Sequence, residues 1–242
     1  QQDVLKAQLE ITSILAETEA TREELGQAQA DLKSLLGRDP DSPDIPIGNV
    51  ELTPFTLSSS QLRALAIADS PELRQARELE AKSTDSLKLA REGYIPDFTI
   101  AYIYEKTGAA FPDYYMATIG MKIPLYFWRK QTPAIEQAGL EKSSAHAQTR
   151  SVKLSVLHQV RNQLIAIQTT RHVGRIYRQG LIPQAQATLT SALASYQVGK
   201  IDFQTLLSAE IDVLRLKQQY YHTVADHQIA IAKIQQIIGI AL

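Results

Sequence analysis

From residue 134 to Gln197 the chain has helical composition almost throughout, and an unbroken helix of that extent would run about 95 Å. No compact domain of this size holds such a helix, so the chain must reverse. Val198-Gly199-Lys200 supplies the break, with a weaker interruption near Gly180 and Pro183. A last helix follows, carrying Leu206, Leu207, Leu214, Tyr221, Val224, Ile231, Ile234 and Ile238, and it closes at Gly239. Its apolar spacings alternate between three and four, the pattern of coiled-coil-like packing against neighbours.

The opening of the chain has the same character. Val4, Leu5, Leu9, Ile11, Leu15, Leu25, Leu32, Leu35 and Leu36 sit among strong helix formers with no proline, and Gly37 stands where a helix C-cap belongs. This helix starts without a capping residue, as a helix entered partway along its length would. Pro40, Pro43, Pro46 and Pro54 then mark residues 38–57 as a linker. Ser58 or Ser59 is placed to cap a short helix with Leu62, Leu65 and Ala66, and Ser70-Pro71 opens another that runs to Leu89.

Residues 94–128 differ, because they hold ten of the sixteen aromatic residues, among them Tyr94, Phe111, Tyr126, Phe127 and Trp128. In DFTIAYIYE, Phe98, Ile100, Tyr102 and Tyr104 alternate with Thr99, Ala101, Ile103 and Glu105; in YYMATIGMKI, Ala117, Ile119, Met121 and Ile123 alternate with Met116, Thr118, Gly120 and Lys122. Period two over about ten residues, twice, predicts a hairpin joined through Lys106 to Asp113. Apolar alternation of that length flanked by aromatics is the signature of a membrane-barrel strand, the alternative being a soluble hairpin packed on helices. Two strands alone are marginal, so closure implies oligomerisation or further strands.

Charge narrows the function. Lys+Arg 25 against Asp+Glu 26 leaves a net charge of -1, hence no basic field for nucleic acid. Cysteine is absent, which removes thiol nucleophiles and cysteine-based zinc sites. No run of 18 apolar residues offers a helical membrane span, and no signal peptide opens the sequence. His146, His158, His172, His222 and His227 form no metal-binding pair and are expected to be solvated or lumen-facing; Met116 and Met121 lie on opposite strand faces. No nucleophile elbow, phosphate loop or dinucleotide fingerprint is present, and Glu23, Glu24, Glu78, Glu80, Glu210 and Asp212 fall where a solvated helix face would carry them. The expectation is a protein that is no enzyme and holds no cofactor or metal. Lys122, Arg129 and Lys130 fit either a solvated rim or the headgroup edge of a barrel.

A shift of 202 residues lays QDVLKAQLEI over QTLLSAEIDV and LKSLLG over IQQIIG, with Ala28/Ala230 and Ala30/Ala232 in phase and no gap. This is the mark of a duplicated unit. The stretches QQDVLKAQLEI, LLGRDPDSP, LAREGYIPDFTI, KIPLYFWRKQ, LIPQAQATL and ASYQVGKIDFQTLLSAEIDVL resemble the TolC-like outer-membrane efflux proteins, especially the branch serving heavy-metal and multidrug pumps of the resistance-nodulation-division type.

That resemblance implies a mainly α fold with a β-hairpin, in which long antiparallel coiled-coil-like helices form a helical barrel and the strands join a trimeric transmembrane β-barrel. Residues 1–37 would end the long helix of the first repeat, most of which would lie upstream with any secretion signal or lipidated cysteine. Residues 38–93 would form the linker and equatorial short helices, 94–128 the barrel hairpin, and 129–242 the long periplasmic helix pair. The implied function is a passive exit duct of a tripartite efflux system, in the outer membrane and extending into the periplasm. Its expected partners are two further copies of the chain, outer-membrane lipid, a periplasmic adaptor and, indirectly, an inner-membrane transporter. A soluble periplasmic coiled-coil adaptor or scaffold is the alternative. The family's adaptor-contacting tip falls on Gln197, Val198, Gly199, Lys200 and Ile201. Members with an acidic gate carry aspartates at positions that correspond here to Thr205 and Ser208, with Asp3 and Lys6 their first-repeat equivalents at the periplasmic constriction. Phe98, Ile100, Tyr102, Ala117, Ile119 and Met121 include the expected lipid-facing positions.

Overall fold

A computed structural model of the chain describes residues 2–46, 48, 50–106, 112–122 and 128–240. Its elements run α1 (Gln2–Leu35), α2 (Ser59–Asp69), α3 (Pro71–Glu92), β1 (Asp97–Glu105), β2 (Tyr114–Lys122), α4 (Gln131–Ile176), α5 (Ile182–Gln197) and α6 (Phe203–Ile238). They divide between two compact units, one of Gln1–Thr56 with Ile165–Ala232, the other of Leu57–Leu164 with Lys233–Leu242.

In the first unit α1 stops because Gly37 takes φ +66°, with its N–H on the Ser34 carbonyl at 3.0 Å and the Arg38 N–H on the Lys33 carbonyl at 2.8 Å. The segment after it is more than a linker. Lys33, only 5% exposed, directs its ammonium at the Pro40 carbonyl (3.0 Å), the Ser42 carbonyl (2.6 Å) and Asp44 Oδ1 (2.9 Å), one oxygen for each proton. Gln29, also buried, exchanges two hydrogen bonds with the backbone of Ile45. Further along, the Thr53 carbonyl meets His227 Nε2 at 2.9 Å, while Nδ1 of the same ring faces Thr170 Oγ1 at 3.0 Å. His227 is wholly buried, which corrects the expectation of a solvated or lumen-facing histidine: the ring spends both nitrogens tying the strap of residues 38–56 to α6 and α4. The other four histidines are exposed.

Gly180 and Pro183 do not break the helix as their composition suggests. A π-helical turn, Tyr177–Leu181, joins α4 to α5, and the Ile182 N–H reaches back to the Tyr177 carbonyl. Widening the turn by one residue lets the chain pass a proline that has no N–H to give.

In the second unit Ser58 caps α2 in a capping box with Gln61, and Ser70 caps α3 ahead of Pro71. Leu62, Ala66, Leu73, Ala138, Val156, Val160, Leu164, Ile234 and Ile238 are the buried apolar residues of this unit, together with Ala76. Thr149 Oγ1 donates to the Ala76 carbonyl at 3.2 Å, and His146 Nδ1 meets Glu80 Oε1 at 2.8 Å. That imidazole and the Thr149 hydroxyl hold the Glu80 carboxyl below its usual range.

Candidate functional site

The hairpin forms with the boundaries that period two predicts. β1 and β2 pair antiparallel with Phe98 opposite Met121, Ile100 opposite Ile119 and Tyr102 opposite Ala117. Directly opposed residues point to one side, so the register gathers all six expected lipid-facing residues on a single face, with Thr99, Ala101, Thr118 and Gly120 on the other. Among the described residues nothing covers that face: Ile100 is 82% and Ile119 81% exposed. Apolar surface left open costs about 25 cal/mol per Å² in water, which makes an apolar surrounding the stable one. Tyr102 and Tyr104 stack on Tyr115, at 6.2 and 5.0 Å between ring centres, at the end where the Tyr104 hydroxyl donates to Asp113 Oδ2 at 2.6 Å and Tyr114 donates to Glu105. The expected loop residues 107–111, which include Phe111, and the residues Ile123, Tyr126 and Phe127 lie outside the described residues. Among the described residues no helix is long and apolar enough to cross a membrane, and no group of three metal-ligating side chains occurs.

The second candidate region is the chain reversal between α5 and α6. Gly199, at φ +71°, donates its N–H to the Tyr196 carbonyl, and Lys200 donates to the Ser195 carbonyl, both at 2.9 Å. A side chain at Gly199 would have to take up a left-handed backbone, at a cost of roughly 1–2 kcal/mol. Gln197, Val198 and Lys200 are exposed and Ile201 half-buried. Tyr196 packs edge-on against Phe203 beneath the turn, at 6.1 Å between ring centres.

Of the four expected constriction residues, the structure shows Asp3, Thr205 and Ser208 exposed, and it bonds Lys6 to Gln204. Thr205 proves to be engaged in a helix cap. Asp202 Oδ1 accepts the Thr205 N–H at 2.9 Å and the Thr205 hydroxyl at 2.6 Å. Those two bonds, with Lys6 adding its positive charge, lower the Asp202 carboxyl from its ordinary value. Asp202 is a residue that the periodicity and the family resemblance both pass over, although an aspartate three residues ahead of a threonine at a helix start is a capping signal.

Residues 62–240 match the family described as outer membrane efflux protein. No curated protein sequence matches the chain. Among solved structures, the fold is similar to the CmeC outer membrane channel of Campylobacter jejuni (TM-score 0.83, 15% identity, 99% of this chain and 52% of that one). It is similar as well to the outer membrane protein VceC of Vibrio cholerae (TM-score 0.78, 18% identity, 99% and 58%). The MtrE outer membrane channel of Neisseria gonorrhoeae, in its open state, aligns with TM-score 0.78 at 18% identity over 95% of this chain and 53% of that one. The chain thus spans little more than half the length of the channels it matches. Covering well over half of the sequence, the family match is decisive: the chain belongs to the outer membrane efflux protein family.

Proposed function

We propose that this chain is part of the wall of a passive outer-membrane exit duct in a tripartite efflux system, assembled as a homotrimer. The observation that carries the reading is the hairpin, whose apolar face is matched across strands by Phe98/Met121, Ile100/Ile119 and Tyr102/Ala117 and left open by the other described residues. Strand edges need neighbours, and copies of the chain supply them while lipid takes the apolar face. Long helices with a glycine-made reversal provide the periplasmic part. Gln197 to Ile201 then serve as the surface that meets a periplasmic adaptor, with the inner-membrane transporter engaged only through it. Five residues bury too little for a lasting interface, so several tips act together.

Asp3, Lys6, Thr205 and Ser208 line the periplasmic constriction in this reading, and Asp202 joins them. Its carboxylate stays ionised under the hydrogen bonds from Thr205, but the charge of Lys6 lies in its field and offsets it in a ring. The pore is therefore expected to show weak cation preference and little block by divalent ions. Single-channel conductance of the full-length trimer tests both parts. Thr205→Asp with Ser208→Asp should create divalent block, and strong block in the unmodified protein would overturn the constriction. Gly199→Val with Lys200→Glu should abolish efflux in cells while trimers persist; wild-type resistance in those cells would refute the tip.

A further inference from the structure

Three arginines of the first unit have no use in the duct as described. Arg171, Arg175 and Arg178 follow one another at four and three residues along α4 and its π-helical turn, and with Leu52, Pro54, Gly174 and Gln179 they line a cleft of about 170 Å³. All three are exposed, and among the described residues none of them enters an ion pair or a hydrogen bond. Like charges one turn apart repel, so the chain keeps an unfavourable cluster inside a sequence whose net charge is only -1.

The cleft is also built. Gly174 is buried under the strap, and a Cβ there would stand 2.7 Å from Leu52 Cδ1, so the glycine lets the Leu52 side chain lie against the helix as the floor where a larger residue would push its methyl aside. Leu52 is fixed on both sides, because Gln228 Nε2 donates to the Glu51 carbonyl at 2.6 Å and the Thr53 carbonyl is held by His227. A recess pinned in this way loses little entropy on filling.

We propose that this cleft docks an acidic polypeptide segment of a periplasmic partner. The location rests on the duct reading: a lumen must stay clear, so the face that carries the strap is the outer one. Guanidinium forks pair with carboxylates in two parallel hydrogen bonds, and successive helical turns set them about 5–6 Å apart. Carboxylates on alternate residues of an extended segment repeat at about 6.8 Å, close enough for neighbouring forks to follow. Leu52 and Pro54 give the peptide's methylenes an apolar floor, which a bare phosphate chain would not use.

The test is fluorescence anisotropy of a labelled oligoglutamate peptide with the full-length trimer at low salt. Binding should weaken by about tenfold or more in Arg171→Gln/Arg175→Gln/Arg178→Gln, by less in Arg175→Gln alone, and on raising the salt. Arg215→Gln, whose arginine lies 3.7 Å from Asp212 outside the cleft, should bind as the unmodified protein does. Unchanged binding in the triple variant would overturn the proposal, and so would inorganic triphosphate displacing the label at lower concentration than unlabelled peptide. Conductance of the unmodified trimer is measured alongside: its absence counts against the duct, unchanged peptide binding against the cleft.

Discussion

Ile234 and Ile238 on α6 are wholly buried, whereas Leu32 and Leu36, which the 202-residue shift places opposite them, are 38% and 56% exposed. The same holds nearer the tip, where Val213 is buried and its counterpart Ile11 is open. Both copies of the helix end on a glycine of positive φ, Gly37 and Gly239, so the local conformations agree and only the surroundings differ. One copy has been closed by the chain itself, and the other keeps its apolar stripe free, as the hairpin keeps Ile100 and Ile119. In the proposed duct, these in-register exposed surfaces on otherwise well-formed elements are the ones that neighbouring copies or lipid would complete.

The largest test of that contrast is Ile234→Ala, expected to cost about 4 kcal/mol through a cavity in the closed core. Leu32→Ala should cost less than half as much in the unassembled chain and approach it in the trimer. Thermal loss of helical circular dichroism in both forms decides; equal costs in the unassembled chain would break the contrast.

Arginine on the open hairpin face comes next. Ile100→Arg and Ile119→Arg should each cost about 3 kcal/mol near the membrane midplane, and Thr99→Arg and Thr118→Arg close to nothing. Heat-resistant trimer yield in outer-membrane fractions reads the difference, and equal yields from all four would remove the membrane assignment of that face.

Lys33→Met follows at about 2 kcal/mol, since it strips a buried donor from the Pro40 and Ser42 carbonyls. Faster proteolytic cleavage between residues 38 and 46, with trimers retained, is the expected result. Cleavage at the unmodified rate would show that the strap holds without the lysine.

The smallest effect is a pH dependence in the second unit. Glu80 has its pKa lowered from 4.5 when folded, so its contribution is present above that value and is lost as the pH falls through the folded value. Because the carboxyl is only half-buried and its partner His146 is exposed, solvent screens the interaction and the change is slight. Glu80→Gln should flatten the acid limb of the thermal midpoint against pH, and His146→Ala should do the same; a steeper limb in either would reverse the assigned sign.

Periodicity is set by backbone geometry within a few residues, and for that reason the elements are legible in the amino-acid sequence. Period two marks both strands nearly to the residue, Ser58 and Ser70-Pro71 announce α2 and α3, and Gly37, Gly199 and Gly239 stop their helices. The alternation even separates the two faces of the hairpin, although the pairing that unites Ile100 with Ile119 needs the register of the turn. Partners distant in sequence are another matter. Lys33 and His227 look like ordinary polar positions of amphipathic helices until the strap is laid over them, and Pro183 looks like a helix end until the π-helical turn absorbs it. Nor does the spacing of Arg171, Arg175 and Arg178 reveal a cleft without Leu52 to floor it. Local sequence determined where this chain is helix, strand or turn, because each of those states is stabilised within one or two turns of the residue itself. Which polar groups are buried, and against what, was decided only when segments distant along the chain came together, since a buried charge or amide is stable solely where the fold brings it a partner.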